Sequence, residues 1–99
     1  MNFNLIITDP ANQDLEQIAD YLGMNYGLNR SETFISEINE RMKYIAQFPY
    51  IGRSREELSP NSRSLSYSRY LIFYQVKETS IEIIRIANGY QDLTKLFKN

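Results

Sequence analysis

The sequence predicts an α+β domain spanning residues 1–99, of order β-α-α-β-β-β, with a two-helix hairpin packed on a roughly four-stranded antiparallel sheet. Three observations predict it. The chain opens on an alternating apolar segment, two stretches of helical period follow on either side of a glycine, and the second half runs as short apolar or alternating stretches between turn residues. Periodicity does not say which edge of the sheet takes the first strand.

In Phe3-Asn4-Leu5-Ile6-Ile7-Thr8 the residues Phe3, Leu5 and Ile7 recur at period two, so the segment reads as a strand with one buried face. Asp9 is then expected to cap a helix. Pro10 suits the first helical position, where the N–H that proline lacks would be unpaired anyway. Ala11, Leu15, Ile18, Ala19 and Leu22 keep helical spacing until Tyr26-Gly27 ends the run. Asn29 or Ser31 opens a second helix with Phe34, Ile38, Met42, Ile45 and Phe48 on one stripe, and Pro49 stops it. Glu37 and Arg41 lie four apart on its outer face, a weakly stabilising pair. So short a connection favours an αα-hairpin laid on a sheet.

Ile51 to Asn61 reads as a polar connector punctuated by Gly52 and Pro60. Arg63, Leu65 and Tyr67 alternate with Ser64, Ser66 and Ser68, which suggests a strand with one wet face. Tyr70 to Val76 is almost continuously apolar and aromatic, as expected of a central strand covered on both faces. Lys77-Glu78-Thr79-Ser80 supplies a turn. Ile81 to Ile86 is the last strand, with Glu82 and Arg85 on opposite faces, and Asn88-Gly89 breaks it before a short closing segment from Asp92 to Phe97. The helices would cover one face of the sheet. The other would stay partly open, which in a small domain implies a partner that covers it.

Composition narrows the chemistry. With 42% hydrophobic and 23% charged residues the chain is globular in type. It has no cysteine, hence no disulfide and no thiolate metal site, and no histidine, which removes the usual general base at neutral pH and the commonest metal ligand. No metal or cofactor is therefore expected, and catalysis would have to rest on Arg, Lys, Tyr and carboxylates. No basic segment leads into an apolar one at the start, and no apolar run approaches the roughly 20 residues that span a bilayer, so the cytoplasm is the expected compartment. The net charge of −1 is unevenly placed: residues 1–40 hold one Arg against seven acids, and residues 41–99 hold ten Lys and Arg against five acids. A net-acidic chain is a poor generic binder of nucleic acid.

Four segments in order carry a resemblance. They are Asp14-Leu15-Glu16-Gln17-Ile18-Ala19-Asp20-Tyr21-Leu22; Phe48-Pro49-Tyr50-Ile51-Gly52-Arg53-Ser54-Arg55-Glu56-Glu57-Leu58; Arg63-Ser64-Leu65 with Arg69-Tyr70-Leu71-Ile72-Phe73-Tyr74; and Ile81-Glu82-Ile83-Ile84-Arg85-Ile86 with Asn88-Gly89 and Asp92-Leu93. Together they resemble the RelE/ParE toxin superfamily of type II toxin-antitoxin (plasmid stabilisation) modules, on its ParE branch. The resemblance implies a toxin held inactive in a hetero-oligomer with a cognate antitoxin, and a target in DNA gyrase. RelE-type relatives instead cleave messenger RNA on the ribosome with Lys, Arg and a C-terminal Tyr. Here Leu93 stands at that Tyr position, and no lysine lies between Lys43 and Lys77. Asn88 replaces the family's usual His, Gln91 its frequent Arg, and Ser66-Tyr67-Ser68 its more usual Pro-Val-Gly. These departures leave open a non-toxic remnant that still binds an antitoxin.

The candidate site residues follow from charge and placement. Arg85 lies in an Ile-rich strand and must reach solvent or an anion. Asp92 or Glu57 would serve as an ordinary structural partner, and an open face would make Arg85 target-binding. Arg53, Arg63 and Arg69, with Arg55, suit bidentate contacts to phosphate or carboxylate. Arg53 and Arg63 sit beside turns and are the better structural ties. Tyr70, Phe73 and Tyr74 read as core, whereas Tyr67 and Tyr90 are freer. The target- or partner-binding set is thus Arg53, Arg63, Tyr67, Arg69, Arg85 and Tyr90, with Arg85 and Tyr90 catalytic only if the protein is a ribonuclease.

Overall fold

The computed structural model describes residues 3–89. Tyr90, Gln91, Asp92, Leu93 and the closing segment lie outside them. The elements are β1 (Asn4–Ile7), α1 (Asp9–Tyr26), α2 (Leu28–Gln47), β2 (Arg53–Ser54), β3 (Ser62–Tyr67), β4 (Tyr70–Val76) and β5 (Ser80–Asn88). They form a five-stranded sheet in the order β1-β5-β4-β3-β2, antiparallel except where β1 runs parallel to β5.

This is the expected α+β architecture with one strand more. The fifth strand is the short β2 inside the segment that reads as connector. Its two residues pair Arg53 with Ser64 and Ser54 with Arg63, too brief a run for any period to register. The first strand takes the β5 edge, with Leu5 opposite Ile81 and Ile7 opposite Ile83.

Helix boundaries follow local chemistry. Thr8, not Asp9, caps α1: its Oγ1 accepts from the Ala11 N–H at 3.3 Å, while Asp9 lies in the first turn. The same hydroxyl is within 2.9 Å of the Ile83 carbonyl and 3.1 Å of that of Ile84, so the cap also ties α1 to β5. Gly27, at φ 98°, lets α2 begin at Leu28 without a break. Ser31, expected as an opener, lies inside α2 and donates to the Ala19 carbonyl at 2.9 Å, linking the two helices. Phe48 follows the helix and is exposed, its ring 5.0 Å from that of Tyr44, because the chain has already turned toward Pro49.

The core lies between hairpin and sheet. Phe34, Ile38, Met42 and Ile45 of α2 and Ala11, Leu15 and Leu22 of α1 meet Tyr70, Ile72 and Tyr74 of β4 and Ile81, Ile83 and Ile86 of β5. Each fully buried Ile or Phe side chain contributes roughly 1.5–3 kcal/mol. Between Phe73 and Tyr74 the β4–β5 register slips, so Tyr74 pairs with Ile83 while Phe73 pairs with Arg85 and Ile84 is the extra residue. The bulge lets both Ile83 and Ile86 reach the core. It also puts Arg85 on the same side as Glu82, which pairs with Gln75, so the opposite-face expectation fails.

On the face away from the helices, Phe73 is fully buried and Ser62 and Ser64 nearly so. The expectation of a wet serine face is corrected there. Ser62 Oγ lies 2.7 Å from the Arg55 carbonyl and 2.6 Å from that of Ser59, and Arg55 Nε donates to Ser64 Oγ at 2.8 Å. The turn after β2 folds over this part of the sheet.

Candidate functional site

Arg85 is held by a residue of the first helix. Its Nε donates to Asp14 Oδ2 at 2.8 Å and its Nη2 to Oδ1 at 3.0 Å, a two-pronged contact. Asp14 Oδ2 also accepts the Ile86 backbone N–H at 2.9 Å. Strand β1 ends at Ile7, opposite Ile83, so beyond that point the β5 edge has no strand neighbour. The carboxylate of α1 takes over that edge. The bond to Asp14 raises the Arg85 pKa above its ordinary value, against the lowering effect of burial. A carboxylate partner was expected, but it is Asp14 rather than Glu57, and Asp92 lies outside the described residues. Arg85 is accordingly not a free guanidinium.

Sequence reasoning passed over Asp14. Its signal was its position, three residues after Ala11 and four before Ile18, which places it on the buried stripe of α1. A carboxylate there needs a cationic or N–H partner.

Two further arginines are also bound. Arg63 Nη1 donates to the Gly52 carbonyl at 2.7 Å and to that of Tyr50 at 3.2 Å, with its guanidinium 5.0 Å from the centre of the Tyr50 ring. That is the structural tie expected of a residue beside a turn. Arg55 combines its bond to Ser64 with an ion pair to Glu57 at 3.6 Å and lies 6.0 Å from the Phe73 ring centre. Arg53, expected to be a second tie, is exposed in β2 and makes no side-chain hydrogen bond or ion pair among the described residues. Arg69 is likewise exposed and unpaired among them, in the turn between β3 and β4.

The tyrosines divide differently from expectation. Tyr70, Phe73 and Tyr74 are core. Tyr67 is core as well, which corrects the view of it as freer: it is 8% exposed, and its hydroxyl donates to Glu37 Oε1 at 2.6 Å. Its position opposite Tyr70 points it toward Phe34, whose ring centre is 6.0 Å away. Burial first, then the bond to Glu37, push the Tyr67 pKa up to about 12. Glu37 and Arg41 thus both serve Tyr67, the guanidinium lying 5.9 Å from the ring centre, rather than forming a surface pair of their own. Tyr74 donates to the Pro49 carbonyl at 2.7 Å and accepts the Gly52 N–H at 2.9 Å; burial raises its pKa too.

The site set does not converge. Arg63, Arg53 and the Pro49–Gly52 turn gather at the β2 margin, Arg85 and Asp14 lie at the β5 margin, and Arg69 stands at the β3–β4 turn. Tyr90 lies outside the described residues. Asp14, Gln17, Tyr21, Arg69, Ile86 and Asn88 line a cavity of about 460 Å³ between α1 and the ends of β4 and β5. Within the described residues no helix is long and apolar enough to cross a membrane.

Known proteins resemble this chain in sequence and in fold. The family model of the ParE toxin of the parDE type II toxin-antitoxin system matches residues 5–93. Toxin ParE1 of Mycobacterium tuberculosis is 27% identical over 96 residues, covering 96% of this chain and 98% of that one. Toxin ParE3 of Caulobacter vibrioides is 26% identical over 89 residues, covering 90% and 89%. A chain of the chromosomal ParDE system from P. aeruginosa superposes with a TM-score of 0.74 at 26% identity, over 87% of this chain and 95% of that one. The E. coli toxin RelE, in a mutant free form, shares the fold alone, with a TM-score of 0.68 at 14% identity over 98% and 94% of the two chains. With the same helix hairpin, the same sheet and a family match over nearly its whole length, the chain belongs to the ParE toxin family of type II toxin-antitoxin systems.

Proposed function

We propose that residues 1–99 act as one toxin domain that inhibits DNA gyrase, works in the cytoplasm and is neutralised in a hetero-oligomer by a cognate antitoxin. The observation that favours this reading over the ribonuclease alternative is the two-pronged hold of Asp14 on Arg85. A ribonuclease of the RelE type has to orient a 2′-hydroxyl, stabilise charge on the scissile phosphate and protonate the leaving oxygen. Arg85, the strand arginine available for the phosphate, is already neutralised. Tyr67 and Tyr74 are buried with their hydroxyls engaged by Glu37 and by the Pro49–Gly52 turn, Tyr90 lies outside the described residues, and the chain has no histidine. Among the described residues Arg53 and Arg69 have unpaired guanidinium groups, one beside Ser64 of β3 and the other past its far end, an arrangement suited to gripping a protein surface and not to converging on one phosphodiester.

The antitoxin reading draws support from the P. aeruginosa ParDE system and from the M. tuberculosis RelBE2 toxin-antitoxin complex, which has the same fold at a TM-score of 0.65 and 16% identity. The test is induced expression in a bacterial host without antitoxin, following nucleoid morphology and bulk translation together. Filamentation and DNA damage under continuing translation are expected. Prompt translational arrest with cleaved messenger RNA would overturn the gyrase target, and harmless expression of folded protein would identify a remnant without toxicity.

A further inference from the structure

Helix α2 ends in an aromatic shelf, about 30 Å along the helix from the hairpin tip. Tyr44, Gln47, Phe48, Pro49, Tyr50 and Ile51 line a groove of about 440 Å³ there. Tyr44 and Ile51 are each 43% exposed, Phe48 53% and Tyr50 67%. Single exposed apolar residues are ordinary on a monomer, but four lining one groove make a contact surface. The groove is also held in shape. The Tyr74 hydroxyl donates to the Pro49 carbonyl at 2.7 Å and accepts the Gly52 N–H at 2.9 Å. The Ile51 N–H donates to the Phe48 carbonyl at 3.1 Å. A preformed site spares its occupant the cost of ordering it.

Three properties select that occupant. The walls are aromatic faces rather than aliphatic branches, and aromatic-lined grooves suit the rings of proline. The Tyr44 and Tyr50 hydroxyls have no hydrogen-bond partner among the described residues, so both can donate. A polyproline II segment has no internal hydrogen bonds and offers its carbonyls to such donors, whereas a helix has used its own. Charge is the third property. No residue lining the groove is charged. Arg63 stands 5.0 Å from the centre of the Tyr50 ring and bonds backbone carbonyls, with no carboxylate partner among the described residues. Beyond Tyr44, Glu40 pairs with Lys43 at 3.5 Å, and Arg41 lies over Tyr67, whose hydroxyl engages Glu37. Those charges offset one another, so an anion is favoured at the Tyr50 end.

We propose that this groove docks a proline-rich protein segment in the polyproline II conformation. Its prolines lie on the rings of Tyr44, Phe48 and Tyr50, the two phenols donate to its carbonyls, and an acidic side chain sits at the Arg63 end. Such docking requires neither toxicity nor an antitoxin.

The purified chain is titrated by calorimetry with three blocked peptides of equal length. One is a proline run flanked by glutamates, the second the same run flanked by glutamines, and the third an alanine run flanked by glutamates. Methyl NMR of Ile51 gives the location, with Leu28 at the hairpin tip as reference. The proline–glutamate peptide is expected to bind about tenfold tighter than the alanine one, since proline presets the backbone and supplies the rings. It should bind about threefold tighter than its glutamine twin at low salt, a difference that high salt removes. Phe48→Ser should weaken it about tenfold through the lost ring. Tyr50→Phe keeps the ring beside Arg63 and should weaken it about fivefold, the loss of one net hydrogen bond. Both side chains are exposed, so unfolding midpoints should stay near wild type. Equal affinity for the alanine peptide or the glutamine twin, a response at Leu28 instead of Ile51, or full affinity in both variants would overturn the proposal. So would a dimer of the free chain in sedimentation that Phe48→Ser dissociates, which would make a second copy the occupant.

Discussion

At the β1–β5 margin the sheet is fastened to α1 by a charged clamp, whereas at the β2–β3 margin the fastening is mostly neutral. Asp14 binds Arg85 and the Ile86 N–H on one side. On the other, the Tyr74 hydroxyl bridges the Pro49 carbonyl and the Gly52 N–H, and Arg63 meets backbone carbonyls and the Tyr50 ring rather than a carboxylate. The difference teaches where an arginine is structural. Beyond the end of β1 an exposed strand edge needs an acceptor, and the acceptor's charge then recruits the nearest guanidinium. Arg53 in β2 and Arg69 at the β3–β4 turn meet no such edge and have no ion pair among the described residues.

Breaking the charged clamp should have the largest effect. Asp14→Ala leaves a largely buried guanidinium and a backbone N–H without their acceptor, and should cost about 3 kcal/mol, since removing one member of a buried ion pair costs roughly 3–5 and Arg85 keeps some solvent. Asp14→Asn retains an oxygen for the Ile86 N–H and should lose about half as much. Urea unfolding midpoints measure both. A loss under about 1 kcal/mol for the alanine variant would put the clamp among ordinary surface pairs and erase the contrast between margins.

The clamp also marks the limit of what the sequence reveals. The helices were legible because their buried stripes recur every three or four residues, and β4 because it is apolar throughout. An anion for Arg85 was legible as a need, since an unpaired guanidinium in an isoleucine strand is costly. Its identity was not, because Asp14 lies 71 residues away along the chain and no local period links a helix position to a strand edge. The parallel β1–β5 pairing was hidden for the same reason. Tyr67 misled because alternation gives a side chain its face but not what stands over it, here Phe34 and Glu37.

At the neutral margin, Gly52→Ala should cost about 2 kcal/mol, an overpacking effect. A Cβ there would stand 2.5 Å from Tyr74 Oη and 2.8 Å from the Ser64 carbonyl oxygen. The second contact is backbone and cannot swing away. Adding Tyr74→Phe relieves only the first, so the double variant should remain destabilised in thermal unfolding. Full recovery would show that the phenol alone sets the fit.

A pH titration separates the two kinds of fastening further. Tyr67 has its pKa raised to about 12 from the ordinary 10.0. A raised pKa means the folded state holds the proton more tightly, so its contribution is complete below pH 10.0 and is lost as pH climbs toward about 12. Stability should fall across that window by up to about 1.4 kcal/mol per pH unit for this group. Tyr67→Phe should flatten that part of the slope while the rest, including that from Tyr74, persists. An unchanged slope would mean that Tyr67 ionises alike folded and unfolded.

The smallest effect belongs to the turn that carries Arg69. Tyr67 pairs with Tyr70, so Ser68 and Arg69 are the two central residues of a tight hairpin, and Ser68 has φ 55°. Glycine is preferred at that first position because a Cβ there crowds the backbone. Ser68→Gly should therefore stabilise the protein, by about 0.5–1 kcal/mol after the greater freedom that glycine gives the unfolded chain. Chemical denaturation gives the number. A loss of stability would show that Ser68 adopts its φ without strain.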